Sequence, residues 1–281
     1  MNTHFEGGAT MVPKRHELTL GKTALIALLL LLALPPDTLA QSSRIDQATL
    51  DEPNQKTREV STDELKRILA NKSAIVLDTR PHREFAMSHL PGAQNVAPKP
   101  GIPISMYVSD VKEVERLVNG DKGKPLVLYC NGPFCGKSKR LSEELLTAGF
   151  TDVRRYQLGI PVWRALVGLA EIELDGVQHV LQHDRTAVFL DARDTEEFNA
   201  GSLPGARNIP LSVVEPGKDI GEVRRAKDDG RLPMEDHNTR IVVFGRDAAQ
   251  ARALAEAIAR EAFHNVAYFP GQFEALRIVV K

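Results

Sequence analysis

Cysteine is scarce in this chain of 281 residues, which contains only Cys130 and Cys135. Two cysteines are too few for a scaffold held by disulfides or for a four-cysteine zinc site. The charges almost cancel, with a formal net charge of -1 and no long block of one sign. The sequence therefore gives no electrostatic reason to expect a nucleic-acid partner. The composition is otherwise that of an ordinary globular protein, and the length suits two domains of about 110 residues each.

One long apolar run, residues 24–34, lies near the amino terminus after a weakly basic start. The run is shorter than the roughly 20 apolar residues that a bilayer-spanning helix needs. Two prolines end it and small residues follow, so we interpret residues 1–40 as a secretory signal peptide cut after Ala40. No cysteine follows the run, which argues against a bacterial lipoprotein. The mature protein would be periplasmic or secreted, without stable membrane insertion; an uncleaved membrane anchor is the alternative.

Three sequence blocks occur twice in the chain at a constant offset of 113 positions. The first copy comprises residues 75–80, 84–85 and 89–95, and the second comprises residues 188–193, 197–198 and 202–208. Chance would not maintain one offset across three separate blocks. The chain is therefore a tandem duplication.

Each copy alternates strand and helix patterns, as is typical of an α/β domain. The apolar runs at residues 126–129 and 241–244 have the pattern of buried parallel strands, and an amphipathic stretch follows each. We predict two α/β domains, each a parallel sheet with helices on both faces, at residues 58–170 and 171–281. Residues 41–57 are polar and lack periodicity, which predicts a flexible linker.

Cys130 directly follows the predicted central strand of the first copy. In open α/β sheets, ligands bind at the carboxyl ends of strands, where the next helix presents unpaired amides. The candidate anion-binding loop consists of Asn131, Gly132, Pro133, Phe134, Cys135, Gly136, Lys137 and Ser138. Its glycines and proline suit a tight turn that exposes backbone N–H groups. The helix N-terminus, with Lys137, Lys139 and Arg140, is expected to favour the thiolate form of Cys130.

In these sequence blocks, the two copies resemble rhodanese domains. The resemblance rests on the Leu-Asp-x-Arg block, the Glu-Phe pair, the Leu-Pro-Gly-Ala-x-Asn block, the cysteine after the central strand, and Gly159 with Trp163 closing the first unit. It covers nearly all residues after position 58 and implies a sulfurtransferase with Cys130 as the nucleophile. In that family the cysteine takes a sulfane sulfur from a small anionic donor such as thiosulfate, becomes a persulfide, and passes the sulfur to a thiophilic acceptor. The loop amides would hold the persulfide and the donor oxygens, and no cofactor or metal is implied.

Both copies depart from the family pattern. In the second copy, Gly245 stands where a cysteine should be. That domain cannot carry sulfur there, and we expect an inactive companion that could also contact a protein partner. In the first copy, the spacing from Cys130 to Phe150 is two residues longer than that from Gly245 to Phe263. A larger loop shapes a different pocket, so the donor need not be thiosulfate.

Other side chains in these blocks have simpler interpretations. Asp78 and Arg80 recur in both copies although only one copy can react, which favours a structural ion pair. His89 is replaced by Ser202 in the second copy, and a structural hydrogen bond is favoured over acid–base work. Three alternatives stay open for Cys135: a resolving thiol that forms a disulfide with the nucleophile, a bystander, or part of the pocket wall.

Three other functions remain as alternatives. A phosphatase or arsenate reductase on the same fold would need an arginine six residues after the cysteine, where this chain has Gly136. A non-enzymatic binding or redox-sensing module would hold Cys130 and Cys135 as a disulfide. A thioredoxin-type oxidoreductase would need a C-x-x-C pair, which the sequence lacks.

Overall fold

The computed structural model describes residues 44–97 and 111–278. The predicted signal peptide, residues 1–40, lies outside the described residues. Over the two described ranges, no helix is both long enough and apolar enough to cross a membrane.

The first domain is a parallel sheet with helices around it. Its strands are β1 (Arg58–Glu59), β2 (Ile75–Asp78), β3 (Gln94–Asn95), β4 (Leu126–Tyr129) and β5 (Val153–Tyr156). Its helices are α1 (Thr62–Asn71), α2 (His82–Met87), α3 (Val111–Leu117), α4 (Gly136–Thr147) and α5 (Gly159–Val167). Among the described residues the sheet has five strands in the order β1-β5-β4-β2-β3. This order places β4 at the centre of the sheet.

Both faces of this sheet are buried, because successive residues of a strand point to opposite sides. Val76 and Val127 pack in a cluster with residues of α1 and α5. Leu77 and Leu128 pack in a second cluster with residues of α3 and α4. Every residue of β4 is buried, which explains why the strand is a continuous apolar run in the sequence.

The second domain repeats this architecture. Its strands are β6 (Leu169–Glu171), β7 (Val188–Asp191), β8 (Arg207–Asn208), β9 (Ile241–Phe244) and β10 (Val266–Tyr268). Its helices are α6 (Leu174–His183), α7 (Thr195–Asn199), α8 (Gly221–Asp228), α9 (Ala248–Ala259) and α10 (Phe273–Leu276). In the described part of the chain its parallel sheet has the order β6-β10-β9-β7-β8, which matches the first sheet. The prediction of two tandem α/β domains is confirmed.

The boundary between the domains lies slightly earlier than predicted. Strand β6 pairs in parallel with β10, so residues 169 and 170 belong to the second sheet. The second domain therefore begins at Leu169 and not after residue 170. The prediction assigned residues 169 and 170 to the first domain because the partner of this short strand is almost a hundred residues away in the sequence.

The predicted flexible linker is packed against the first domain wherever the structure describes it. We name residues 44–57 the strap. The Glu52 carboxylate accepts hydrogen bonds from Lys139 Nζ at 2.5 Å and from Arg155 Nη1 at 3.2 Å. The Glu59 carboxylate accepts hydrogen bonds from two strap N–H groups at 2.8 and 3.2 Å. The prediction of a free tether was wrong because local composition cannot show bonds to residues 87 and 103 positions away.

The two domains are joined by an antiparallel bridge and by a helix contact. At the bridge, the His89 N–H donates to the Glu171 carbonyl oxygen at 2.9 Å, and the Glu171 N–H donates back at 2.8 Å. Helix α6 packs against α2. A Cβ atom on Gly176 of α6 would lie 2.0 Å from the Ala86 carbonyl oxygen of α2. The close approach of these helices therefore depends on the absence of a side chain at position 176.

The Glu171 carboxylate ties the junction further. Its Oε2 atom accepts a hydrogen bond from the Gly92 N–H at 2.9 Å and lies 3.4 Å from His89 Nε2. Its Oε1 atom accepts a hydrogen bond from the Tyr268 hydroxyl at 2.6 Å. Burial acts to raise the pKa of Glu171, but the bonds from His89, Gly92 and Tyr268 outweigh it and lower the pKa below its ordinary value. The folded protein thus favours the ionised form of this carboxylate at the junction.

Candidate active site

Cys130 lies at the carboxyl end of β4, as predicted, and is only 2% exposed. Its carbonyl oxygen accepts a hydrogen bond from the Ile160 N–H at 3.2 Å, at the start of α5. Gly159 lies directly beneath the loop, where a Cβ atom would be 2.3 Å from the Gly132 nitrogen. Gly132 itself has φ +107°, a conformation that favours glycine. The start of α5 thus fixes the position of the cysteine loop at the carboxyl end of β4.

Cys130 and Cys135 form a disulfide in this structure, with their Cα atoms 6.1 Å apart. The Cys135 N–H donates to the Gly132 carbonyl oxygen at 3.0 Å and closes a turn within the loop. Of the three alternatives for Cys135, the geometry agrees with the one that pairs it with the nucleophile. The loop is therefore seen in its oxidised form.

The loop residues differ widely in exposure. Phe134 is fully exposed at the tip, Asn131, Pro133 and Gly136 are also exposed, and Ser138 is buried in the first turn of α4. The Asn131 side-chain amide donates to the Glu84 carboxylate of α2. Helix α2 therefore contacts both the cysteine loop and the second domain.

Helix α4 begins at Gly136, within the predicted loop, and leaves its N-terminus open to an anion. Cys135 occupies the N-cap position without a side-chain hydrogen bond, and the first turn contains no acidic residue. The unpaired N–H groups of a helix start carry a partial positive charge that stabilises thiolates and anions. This end of the helix lies at the sulfur atoms that would react.

The predicted cations are only partly available to the loop. Lys139 turns to Glu52 of the strap, and Arg140 Nε lies 3.7 Å from Glu144 Oε1 one turn along α4. Lys137 has no ion pair among the described residues. The helix N-terminus and Lys137 are therefore the sources of positive charge at the loop that no described carboxylate pairs with.

The corresponding site of the second domain has lost more than its cysteine. Gly245 is buried at the end of β9, and a Cβ atom there would lie 2.9 Å from Gln250 Oε1. The Asp247 side chain caps α9 by accepting a hydrogen bond from the Gln250 N–H at 2.9 Å. Arg246 is held by Glu197 at 2.6 Å. A carboxylate occupies the place where an anion would bind, so this site lacks both nucleophile and anion cradle.

The buried pair of Asp78 and Arg80 ties the end of β2 to the loop after α2. Arg80 Nε lies 3.0 Å from both carboxylate oxygens of Asp78, and Arg80 Nη2 also donates to the Ser88 carbonyl oxygen at 2.6 Å. The second domain repeats the pair, with Arg193 bonded to Asp191 and to a loop carbonyl in the same way. Because the geometry is the same in a domain without the cysteine, the pair has the character of a structural tether.

Each buried aspartate receives one further hydrogen bond, from a different residue in each domain. In the first domain the Tyr129 hydroxyl donates to Asp78 Oδ2 at 2.5 Å and accepts from the Leu90 N–H at 3.1 Å. Burial, together with the charge of Asp78, raises the pKa of Tyr129 well above its ordinary value. In the second domain Ser202 donates to Asp191 Oδ2 at 2.6 Å. Each aspartate therefore accepts a hydrogen bond from a hydroxyl group, but the residue that supplies the hydroxyl lies at a different position in the two repeats.

His89 lies at the junction of the domains. Its ring stacks on Phe85 at 3.9 Å between centroids, and Nδ1 bonds the Phe85 carbonyl oxygen at 3.0 Å. Nε2 faces Glu171 and Glu173 at 3.4 and 3.6 Å. These contacts agree with the structural role favoured from the sequence, and they connect the first domain to the second.

Sequence reasoning missed two residues near the cysteine loop. Glu52 was placed in a segment expected to be free, and an acidic residue in a polar stretch carries no signal of its own. Glu84 belongs to the repeated Glu-Phe pair, so the repeat offered a signal that it occupies a fixed position. Its contact with Asn131 recurs in the second domain, where Glu197 binds Arg246, but two polar residues 47 positions apart carry no local signal of such a contact.

A groove of about 1330 Å³ lies between the domains and is lined by residues that include Lys66, Lys124, Trp163 and Arg252. Of its lining residues, Lys124 precedes β4, at the opposite end of that strand from Cys130. Within the described ranges, no group of three or more His, Cys, Asp or Glu side chains could hold a metal ion.

Comparison with known proteins places this geometry in a family. The sequence model of the rhodanese-like domain matches the chain twice, at residues 61–166 and 177–278. Among solved structures, the 3-mercaptopyruvate sulfotransferase SseA from Escherichia coli is 21% identical with a TM-score of 0.34, covering 77% of this chain and 98% of its own. The thiosulfate sulfurtransferase from Pseudomonas aeruginosa is 22% identical with a TM-score of 0.29, covering 78% of this chain and 44% of its own.

A variant of EanB in complex with hercynine is 14% identical with a TM-score of 0.32, and the match covers 80% of this chain. This chain spans only 61% of the length of EanB. No curated protein matches the chain. The assignment rests on the two matches of the family model, which together cover most of the sequence. The chain therefore belongs to the family of proteins built from rhodanese-like domains.

Proposed function

We propose that the reduced protein is a sulfurtransferase that moves a sulfane sulfur from a small anionic donor, such as thiosulfate, to a thiophilic acceptor through a persulfide on Cys130. The observation that carries the proposal is the position of Cys130 between the carboxyl end of β4 and the uncapped N-terminus of α4. Gly245 and the Asp247 cap at the sister position argue that the second domain takes no part in sulfur transfer.

The first step needs the Cys130 thiolate, so a thiol reductant must first open the disulfide. With thiosulfate, the thiolate attacks the outer sulfur, a new S–S bond forms to Cys130, and the S–S bond of the donor breaks. Sulfite leaves with the bonding electron pair. The α4 N-terminus and Lys137 would stabilise the anionic donor and the persulfide.

The second step returns the cysteine to its starting state. A thiophilic acceptor such as cyanide attacks the outer sulfur of the persulfide. The S–S bond breaks and its electron pair returns to Cys130 as the thiolate. The backbone around Cys130 keeps its place through both steps because Ile160 holds the carbonyl oxygen and Gly159 supports the loop.

One observation favours a second function, namely the disulfide between Cys130 and Cys135. The chain would then be a non-enzymatic binding or redox-sensing module whose signal is the redox state of the loop. The predicted export of the protein agrees with this alternative, since disulfides persist outside the cytoplasm.

The test measures sulfur uptake by chains that lack residues 1–40, reduced and then freed of reductant. We expect the Cys135→Ser chain to gain one sulfur atom by mass from thiosulfate, to release one sulfite, and to yield thiocyanate with cyanide. The Cys130→Ser chain serves as the matched control and should gain nothing. Equal uptake by Cys130→Ser would refute the assignment of the nucleophile. If Cys135→Ser gains no sulfur while the wild type only cycles between dithiol and disulfide, the redox module is the function.

A further inference from the structure

The disulfide joins a buried sulfur to an accessible one. Cys130 is 2% exposed, whereas Cys135 is partly exposed at the N-cap of α4. The two Cα atoms are 6.1 Å apart, and the turn between Cys135 and Gly132 holds the loop in this arrangement. Opening the disulfide would therefore leave two thiols close together at one helix N-terminus, where thiolates are stabilised.

The sister loop shows that a disulfide is not needed to hold this turn of the fold. There the helix begins three residues after Gly245, and the Asp247 cap and the bond from the Arg246 N–H to Gln250 Oε1 at 2.8 Å fix the connection. In the first domain the helix begins six residues after Cys130. Cys135 belongs to this longer loop, so the enlargement that distinguishes the reactive domain also carries its second thiol.

We propose that Cys135 is a resolving thiol that converts the Cys130 persulfide into hydrosulfide, so that the protein reduces a sulfane donor to sulfide. This proposal rests on the proposed function. The Cys135 thiolate attacks Cys130 Sγ, and a bond forms between the two cysteine sulfurs. The bond from Cys130 Sγ to the outer sulfur breaks, and the outer sulfur leaves as hydrosulfide with the electron pair. The protein product is the disulfide that the structure contains.

A dithiol reductant completes the cycle. One of its thiolates attacks Cys135 Sγ, the accessible sulfur of the disulfide, and Cys130 leaves as a thiolate at the α4 N-terminus. The second thiol of the reductant then displaces Cys135 and closes the reductant's own disulfide. Over one cycle with thiosulfate, the products are sulfite, hydrogen sulfide and the oxidised reductant. The two electrons that reduce the sulfane sulfur come from the dithiol.

Proximity decides between this step and transfer to an outside acceptor. A thiol held in the same loop reacts with an effective concentration far above that of a free thiol in solution. The wild-type persulfide should therefore be short-lived, and the persulfide of Cys135→Ser should persist until an added thiol or thiophile removes it.

The test is a single-turnover reaction of the reduced wild type and Cys135→Ser with thiosulfate, without free thiol. We expect the wild type to release one sulfide per chain and to become two hydrogens lighter. Cys135→Ser should retain one extra sulfur and release no sulfide. When dithiothreitol is then added at increasing concentrations, sulfide release from Cys135→Ser should rise in proportion. The first sulfide from the wild type should instead form at a rate independent of dithiothreitol.

Two outcomes would overturn the proposal, and they are distinguishable. If Cys135→Ser takes up no sulfur, the proposed function fails and the resolving step fails with it. If Cys135→Ser takes up sulfur and the wild type also retains it without releasing sulfide, the sulfurtransferase stands and the role of Cys135 is refuted.

Discussion

Replacement of Gly159 by alanine should displace the cysteine loop. The new Cβ atom would lie 2.3 Å from the Gly132 nitrogen, 2.5 Å from the Cys130 carbonyl oxygen and 2.7 Å from the Gly132 Cα. All three neighbours are backbone atoms, so no side chain can turn aside. Ordinary contact with a Cβ begins at 3.4 Å. The loop must therefore move away from α5 by about 1 Å, beyond the tolerance of a reacting group.

The cost of Gly159→Ala follows from three contributions. The position has φ +66°, where a residue with a Cβ atom loses about 1 to 2 kcal/mol. Forcing extra volume into a packed region costs roughly 1 to 3 kcal/mol. Stretching the hydrogen bond from the Ile160 N–H to the Cys130 carbonyl oxygen loses about 1 kcal/mol. We expect the free energy of unfolding to fall by roughly 3 to 6 kcal/mol, and persulfide formation to slow about 100-fold, the cost of a 1 Å misplacement.

Gly120→Ala is the matched control. Gly120 also has positive φ, +75°, but its Cβ position meets no atom of the described chain within 4 Å beyond its immediate sequence neighbours. That variant should lose only about 1 to 2 kcal/mol and keep its rate. Urea unfolding of the reduced chains would give the stabilities, and sulfur uptake in a Cys135→Ser background would give the rates. If Gly159→Ala is as stable and as fast as Gly120→Ala, the inferred support of the loop by α5 is refuted.

Three further predictions concern the tether and the domain junction. Tyr129→Phe should lower the free energy of unfolding by about 2 kcal/mol in urea, because buried Asp78 loses a donor; an unchanged midpoint would contradict this. Gly176→Ala should destabilise the protein by about 3 kcal/mol in thermal unfolding although alanine is the better helix former, since its Cβ meets the Ala86 carbonyl; a stabilised protein would disprove the close contact. Because the pKa of Glu171 is lowered in the folded state, its stabilisation is present above about pH 4.5 and lost as the pH falls through the lowered value. Glu171→Gln should reduce the dependence of the free energy of unfolding on pH in this range. An unaltered pH dependence would show that the ionised Glu171 carboxylate does not stabilise the fold.

The internal repeat predicted most of the fold. Two matched sets of blocks require two domains with the same strand order, and both sheets have that order. The position of Cys130 could be predicted because ligands bind at the carboxyl ends of the strands in a parallel sheet, and Cys130 directly follows a buried apolar run. These features are local or repeated, so a single sequence contains them.

Long-range contacts account for the features that could not be predicted. The strap binds residues that follow it by 87 and 103 positions, and its polar composition is the same whether it is bound or free. The role of His89 depends on a partner in the other domain, Glu171. The pairing of Cys135 was open because a sequence separation of five allows several loop conformations, and the turn at Gly132 selects one of them.

Because the strap contacts the first domain, the residue at which a recombinant chain begins affects the properties of that domain. A chain that starts after residue 40 retains Glu52, which pairs with Lys139 and accepts a hydrogen bond from the buried guanidinium of Arg155. A chain that starts at Arg58 would lack Glu52. Arg155 would then lose its carboxylate partner, and the positive charge of Lys139 in α4 would no longer be paired. Two preparations that differ only in these few residues would then differ in both stability and thiol reactivity.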